Sequence, residues 1–150
     1  YFKAGKIFKY LKMTGYAEQF LRYAAYADGK NSEYFSALGD VYLDQSNYKN
    51  ASGCFDTAAL LGSRDIILYI ANGNLKYTKL NNKIGALKDF NIALTIDPLN
   101  IEALTNRGFY YFEIADYNAA LADFLAVKKI DPTNEKNIQY IEACKDKIKK

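Results

Sequence analysis

The pentapeptide Ile-Asp-Pro-Leu-Asn at residues 96–100 returns as Ile-Asp-Pro-Thr-Asn at residues 130–134. Counting back from Pro98 and from Pro132 meets the same residue types at the same distances: Phe90 and Phe124, Ala86 and Ala120, Tyr77 and Tyr111. The stretch from Ser32 to Asp65 holds Tyr42, Ala51 and Phe55 at those offsets, with Ser63 in the proline's place. Further back, Tyr10 and Tyr23 take the tyrosine and aromatic columns, and Gln19 stands where alanine is expected. Self-similarity at a fixed period confines a chain to stacked supersecondary units, because one unit alone cannot bury its apolar faces.

Each unit reads as two helices. Phe35, Leu38, Gly39 and Tyr42 recur at i, i+3, i+4 and i+7, one apolar stripe, and Ala51, Phe55 and Ala58 form a second. The polar turn between the stripes ends at Gly15, Asn47, Asn82 or Asp116, residue types favoured at a helix start. The proline of each pentapeptide then ends the second helix: it has no amide to donate and disfavours a helical residue before it. Asn100 and Asn134 follow as caps for the next first helix. Only two prolines and nine scattered glycines occur, which favours helices over a turn-rich β fold. Gly39 and Gly108, facing Ala51 and Ala120, leave room for the rings of Tyr42, Tyr111, Phe55 and Phe124, small against large as dense packing needs.

The segments Phe-Ser-Ala-Leu-Gly-Asp-Val-Tyr (35–42) with Ala-Ser-Gly-Cys-Phe (51–55), Ile-Ala-Asn-Gly-Asn-Leu-Lys-Tyr (70–77) with Ala-Leu-Lys-Asp-Phe (86–90), and Leu-Thr-Asn-Arg-Gly-Phe-Tyr-Tyr (104–111) with Ala-Leu-Ala-Asp-Phe (120–124), resemble the tetratricopeptide repeat, or TPR. The likeness covers residues 10–134 and is weaker over 1–9, where Lys3 and Lys6 fall in columns expected to be apolar. It implies an all-α fold, a right-handed α-solenoid of about four TPR-like helix–turn–helix repeats with a C-terminal capping helix. The expected organisation is a single domain over 1–150, with repeats at approximately 1–31, 32–66, 67–100 and 101–134 and a cap at 135–150. The cap would turn Ile138 and Ile141 inward and Lys145, Asp146, Lys147, Lys149 and Lys150 outward. The irregular amino terminus raises the expectation of further repeats ahead of Tyr1 in a longer parent chain.

The resemblance also implies a concave groove lined by the first helices. In this chain its columns hold Glu33, Ser36, Ala37, Asp40 and Asp44, then Leu68, Ala71, Asn72, Leu75 and Lys79, then Glu102, Thr105, Asn106, Phe109, Phe112 and Glu113. Asn72 and Asn106 are candidates to hydrogen-bond an extended peptide's backbone, since an amide offers donors and an acceptor. Phe109, Phe112 and Leu75 would take apolar anchors, and the acidic residues would suit a basic ligand. Chaperone-binding members carry a clamp of lysines, arginine and asparagines for a terminal carboxylate. The matching columns here pair Ser36 with Asp40, Ala71 with Leu75, Thr105 with Phe109, Glu33 with Ala37, Leu68 with Asn72 and Glu102 with Asn106; only the asparagines fit. Acidic side chains there would repel a carboxylate, so no such clamp is expected.

Other chemistry has little support. There is no histidine, which removes histidine triads and dyads, and Cys54 and Cys144 have neither a paired nor a metal-ligand spacing. No cofactor or metal is expected, and the function reads as binding rather than catalysis. The cysteine usage favours a reducing, cytoplasmic setting. The longest apolar run, Ile66 to Ala71, is too short to span a bilayer. Ala-Asp-Gly-Lys-Asn-Ser (27–32) lacks the first glycine and final Ser/Thr of a phosphate loop and reads as a turn. The sequon at Asn50 falls inside an expected helix. Lys3, Lys6, Lys9 and Lys12 spiral around a helix, a solvated face or a surface for an acidic partner. The net charge of +3 is too small to argue for nucleic acid. The functional expectation is therefore a protein–protein interaction module. An RNA-binding helical repeat or a self-associating module, a possible homo-oligomer, are the alternatives.

Overall fold

The computed structural model describes residues 1–149, and among them it has nine α-helices and no strand. They are α1 (Phe2–Tyr10), α2 (Thr14–Ala27), α3 (Ser32–Asp44), α4 (Tyr48–Leu60), α5 (Ile66–Thr78), α6 (Lys83–Ile96), α7 (Ile101–Glu113), α8 (Tyr117–Ile130) and α9 (Glu135–Ile148). By packing they fall into two compact units, Tyr1–Asn81 with α1 to α5 and Asn82–Lys150 with α6 to α9. In the first unit α1 packs on α2, α2 on α3, α3 on α4 and α4 on α5; in the second α6 packs on α7, α7 on α8 and α8 on α9. No helix among the described residues is long and apolar enough to cross a membrane.

The helix starts are written in the sequence. Asn47, Asn82 and Asp116 cap α4, α6 and α8 by accepting from the amides of Asn50, Gly85 and Ala119. Asn100 and Asn134 cap α7 and α9 in the same way. Each supplies an acceptor to an amide that the helix leaves unpaired, a contribution of roughly 1 kcal/mol. Gly15 is the exception, since α2 begins at Thr14 and its N-cap, Met13, makes no side-chain cap bond. The stop signals also behave as read: α6 ends at Ile96 and α8 at Ile130, just before the Asp-Pro steps at Pro98 and Pro132. Where the proline is missing, a glycine closes the helix. Gly62 follows α4 at φ +82°, its amide bonds to Ala59 O, and the Ser63 amide bonds to Ala58 O, the paired bonds of a Schellman ending.

The turn after each first helix carries one left-handed non-glycine residue: Lys12, Ser46, Asn81 and Ala115, with φ between 50° and 63°. They recur with the period of the core. Ala17, Ala51, Ala86 and Ala120 are fully buried, and Leu21, Phe55, Phe90 and Phe124 are enclosed at the same intervals. Burying one such large side chain stabilises the fold by about 1.5–3 kcal/mol. The alanines let the helix backbones approach closely enough for the rings to be enclosed.

The tyrosine column differs from the sequence expectation. In α3, α5 and α7 the eighth residue is glycine (Gly39, Gly73, Gly108), and the eleventh is Tyr42, Lys76 and Tyr111. Tyr77 is thus one place out of the tyrosine column. The cause is local: the step from Lys76 to the cap Asn82 is one longer than the steps from Tyr42 to Asn47 and from Tyr111 to Asp116. The extra residue lies in the turn, and an adjacent tyrosine disguises it.

The first repeat differs too. A Cβ on Gly5 would stand 2.6 Å from Leu21, as one on Gly39 would stand 2.6 Å from the Phe55 ring. The columns of α1 and α2 are therefore Gly5, Phe8, Ala17 and Leu21, each a full repeat before Gly39, Tyr42, Ala51 and Phe55. Tyr10, Gln19 and Tyr23 are not the column residues; all three are exposed, Tyr10 by 86%. Lys3 and Lys6 then correspond to Ala37 and Asp40, both half-buried, and not to the buried columns of α3.

The cap α9 buries Ile141 and Cys144 against Ala120 and Phe124 and leaves Ile138 half-buried. Its lysines and Asp146 face solvent from Lys145 to Lys149; Lys150 lies outside the described residues.

Candidate functional site

On the first-helix face of unit 1, α1 and α3 lie side by side. The rings of Phe2 and Tyr34 approach to 4.7 Å between centroids. Lys6 Nζ is 3.7 Å from Glu33 and Lys9 Nζ donates to Asp40 at 2.7 Å. Two of the acidic residues expected to greet a basic ligand, Glu33 and Asp40, are thus already paired within the chain. Ser36, between them on α3, is half-buried. Where α1 runs into its turn, a cleft of about 570 Å³ opens between Lys6, Lys9, Tyr10, Lys12, Thr14 and Asp44.

In α5 the sequence expectation needs correction. Leu68, Asn72 and Leu75 are buried, not presented to a ligand. Asn72 is wholly enclosed: Ser52 Oγ donates to its Oδ1 at 2.8 Å, and its Nδ2 donates to Asp56 at 2.8 Å. Lys76, only 7% exposed, reaches the same Asp56 oxygen at 2.6 Å. A buried amide or ammonium is tolerated only when so bonded. The polar set joins α4 to α5, with the aliphatic stem of Lys76 filling space that Tyr42 and Tyr111 fill in their helices. Lys79, by contrast, is exposed, with its ammonium 5.4 Å from the centre of the Tyr48 ring.

In unit 2, Glu102 is exposed and Thr105 and Asn106 are half-buried on α7. The Asn106 Nδ2 is enclosed without a hydrogen-bond partner among the described residues. By helix register the residue equivalent to Asn72 is Arg107, the seventh of α7, rather than Asn106. Arg107 donates twice to Asp123, at 2.8 and 2.7 Å, and once to Asn91 at 2.8 Å. The hydrogen bonds to Asp123 raise its pKa, against the lowering effect of burial. Arg107 is absent from the groove columns expected from the sequence; its signal there is that it precedes Asp123 by the same offset that separates Gly108 from Phe124. Phe109 and Phe112 are occupied in part as well. Tyr140 of α9 meets Phe109 edge-on at 4.6 Å and Phe112 at 6.2 Å. Glu113 accepts from Lys83 at 2.6 Å.

Neither thiol is poised to react. Burial, helped by the Glu18 charge, pushes Cys54 up to about 11, and burial raises Cys144. A thiol held protonated at neutral pH is a poor nucleophile. Tyr42 is also raised, by burial and then by Glu18, to which its hydroxyl donates at 3.2 Å.

These columns, caps and turns define a class, the TPR-type helical repeat, and comparison with known proteins agrees. No family model matches the chain. A curated relative, the Hsp70-Hsp90 organizing protein of Triticum aestivum, is 27% identical over 134 residues, which cover 89% of this chain and 23% of the relative. The chain thus spans less than a quarter of that protein's length. The crystal structure of MamA protein superposes with a TM-score of 0.86 at 17% identity, covering 97% of this chain and 79% of that one. The first TPR of Spaghetti (RPAP3) bound to the HSP90 peptide SRMEEVD superposes with a TM-score of 0.69 at 18% identity, covering 82% and 97%. The fold of this chain is that of the TPR proteins.

Proposed function

We propose that this chain is a protein-interaction module, an adaptor or assembly scaffold, whose first-helix faces bind an extended or helical segment of a partner protein. The observation that carries this reading is the division of labour within the helix pairs α1/α2, α3/α4 and α7/α8. The glycine, alanine and phenylalanine columns hold the fold, while Ser36, Lys79, Glu102, Thr105 and parts of Asn106, Phe109 and Phe112 remain outside those columns. The Hsp70-Hsp90 organizing protein and the peptide-bound Spaghetti domain support binding rather than catalysis as the use of such a fold. The full span 1–150 is taken as one binding domain of four helix pairs and a cap. Leu68, Asn72 and Leu75 support that face from behind and are not part of the binding surface. No observation favours RNA over protein.

The test is capture of partner segments on an array of peptides by the wild-type chain, by Ser36→Arg and Thr105→Arg, and by Thr95→Arg on exposed α6 surface. Loss of captured peptides with the first two and retention with the third supports the reading. Equal retention by all three overturns the assignment of the face.

A further inference from the structure

Val41 on α3, Leu75 on α5, Tyr110 on α7 and Cys144 on α9 hold one place in their helices, on the flank against which the preceding second helix packs, and all four are buried. On α1 that place belongs to Ile7, which is 58% exposed. Tyr1 and Leu11 beside it are also more than half exposed. Five rings carry this open flank from α1 onto α2. Tyr1 meets Tyr23 at 5.4 Å, Phe20 meets Phe8 at 5.2 Å, and Phe8 stacks on Tyr16 at 5.4 Å between centroids, with Tyr1 and Phe20 closing the chain at 6.3 Å.

The open flank differs from the covered ones in its chemistry. Each covered junction carries a polar bond. Glu18 of α2 accepts from Tyr42 and Gln45 of α3. Ser52 and Asp56 of α4 hold Asn72 and Lys76 of α5. Asn91 of α6 accepts from Arg107 of α7, and the Phe124 carbonyl of α8 accepts from Asn137 of α9. The α1 residues in the places of Tyr42, Gln45 and Asn72 are Phe8, Leu11 and Ala4, whose side chains can make no such bond. One more helix of the second type would find no polar partner here. What fits is a surface that is apolar throughout, and the flank is itself such a surface. It is therefore self-complementary, as a two-fold interface that uses one face on both subunits requires. With about half of each exposed side chain counted, it offers on the order of 500–600 Å² per chain, the size of apolar patch that marks an interaction site. Specific interfaces begin near about 600 Å² per partner, so the pairing is a reversible one.

We propose that two copies of this chain pair through this flank, α1 and α2 of one against α1 and α2 of the other about a two-fold axis, with Ile7, Leu11 and the rings at the centre. The second copy takes the place that a second helix takes at α3, α5, α7 and α9, so the repeat interface continues across the symmetry axis. No charged side chain takes part, so the dimer persists as salt rises, unlike an association held by exposed ion pairs. The pairing stands apart from the interaction-module reading, because it uses none of the residues assigned to the first-helix faces. Where both hold, the dimer presents the binding face twice, and two weak attachments to one assembly act as a stronger one.

The experiment is analytical ultracentrifugation of the full chain from low to high micromolar concentration, at low and at high salt. The expected result is a monomer–dimer equilibrium that salt leaves nearly unchanged. The double variant I7E/L11E on α1 and the single variant Tyr23→Lys on α2 should each weaken the dimer about tenfold or more, because each sets a charge against the partner's apolar flank. Leu60→Glu, on exposed α4 surface, should leave it unchanged. The substituted side chains are all exposed, and circular dichroism checks that the variants stay folded. Monomer at every concentration, or a dimer indifferent to I7E/L11E and Tyr23→Lys, overturns the inference. Growth beyond the dimer reveals head-to-tail contact and overturns the two-fold pairing, and dissociation in high salt overturns its apolar character. A peptide of residues 47–61, which carries the second helix α4, supplies the last arm. A chain that stays monomeric yet binds this peptide, and loses it in I7E/L11E, assigns the flank to a helix from elsewhere and overturns the dimer. The peptide array tests the first-helix faces alone, so its failure leaves this inference standing, and the reverse holds too.

Discussion

A Cβ placed on Gly108 would stand 2.8 Å from a ring carbon of Phe124, a separation that side-chain carbons in folded proteins do not adopt. The glycine on α7 is therefore a socket for the ring on α8. Gly108→Ala should cost about 1–3 kcal/mol through overpacking, and so should Gly39→Ala, which meets Phe55 at 2.6 Å. Gly53 is the control: nothing lies within 4 Å of its Cβ position, so Gly53→Ala in mid-helix should gain about 0.5–1 kcal/mol. Phe124→Ala should cost about 3–5 kcal/mol. Tyr111→Ala should cost less, because that ring is only half-buried. Urea unfolding of the five variants gives the order; a Gly108→Ala protein as stable as wild type contradicts the packing.

The Lys76–Asp56 pair makes an asymmetric prediction. Asp56→Ala deprives a buried ammonium of this carboxylate and should destabilise by about 1–3 kcal/mol. Lys76→Met keeps the aliphatic stem and removes the charge, so it should cost less than Asp56→Ala. Equal losses, read from urea midpoints, would mean that a buried ammonium left without this carboxylate carries no penalty beyond loss of the pair itself.

Ala115 occupies a backbone region that costs an L-residue roughly 1–2 kcal/mol relative to the right-handed helix. Ala115→Gly relieves that strain and should raise the thermal midpoint, with a net gain of about 0.5–1 kcal/mol after the added freedom of the unfolded chain is subtracted. An unchanged or lower midpoint argues against the left-handed turn.

The Cys54 thiol gives a pH signature. Its pKa rises from 9.0 to about 11 on folding, by burial first and then by the Glu18 charge. The folded state therefore holds a proton that the unfolded state releases. This contribution to stability is complete below about pH 9 and is lost as pH climbs towards about 11. Tyr42, also raised, adds a loss of the same sign above its ordinary value of 10.0. Cys54→Ala should flatten the fall in stability between about pH 9 and 11 relative to wild type; parallel curves would contradict the thiol's enclosure.

A peptide ending in Glu-Glu-Val-Asp should bind no more tightly than its C-terminally amidated form. Shifting α5 by one residue, as its register requires, places Ile70 with Asn74 and Ile67 with Ala71 in the clamp columns, still without a lysine. Calorimetric titration of both forms decides it; a clear advantage for the free carboxylate would reinstate the clamp.

How legible each feature is in the sequence follows from how it is encoded. The Ala and Phe columns of α4, α6 and α8 are readable because a fixed chain length separates them and no substitute residue competes. Tyr77 and Tyr10 mislead because tyrosine is common here, and a residue name is followed where packing follows the glycine. Asn72 suggests a groove because the TPR resemblance puts it in a column where an asparagine holds a peptide's backbone. Its partners, Ser52 and Asp56, lie on the preceding helix and only the fold brings them to it. The cleft at the end of α1 is half visible as lysines at every third position. That Glu33 and Asp40 face those lysines depends on how α1 packs against α3, which no local pattern states.

The longer turn after α5 keeps both its left-handed residue, Asn81, and its capping asparagine, Asn82. The chain thus already contains a natural example of a lengthened connector whose flanking helices hold their own phase. The matching points after α3 and α7 should accept an inserted tag or reporter peptide on the same terms, which makes them the first places to label this protein without touching its core.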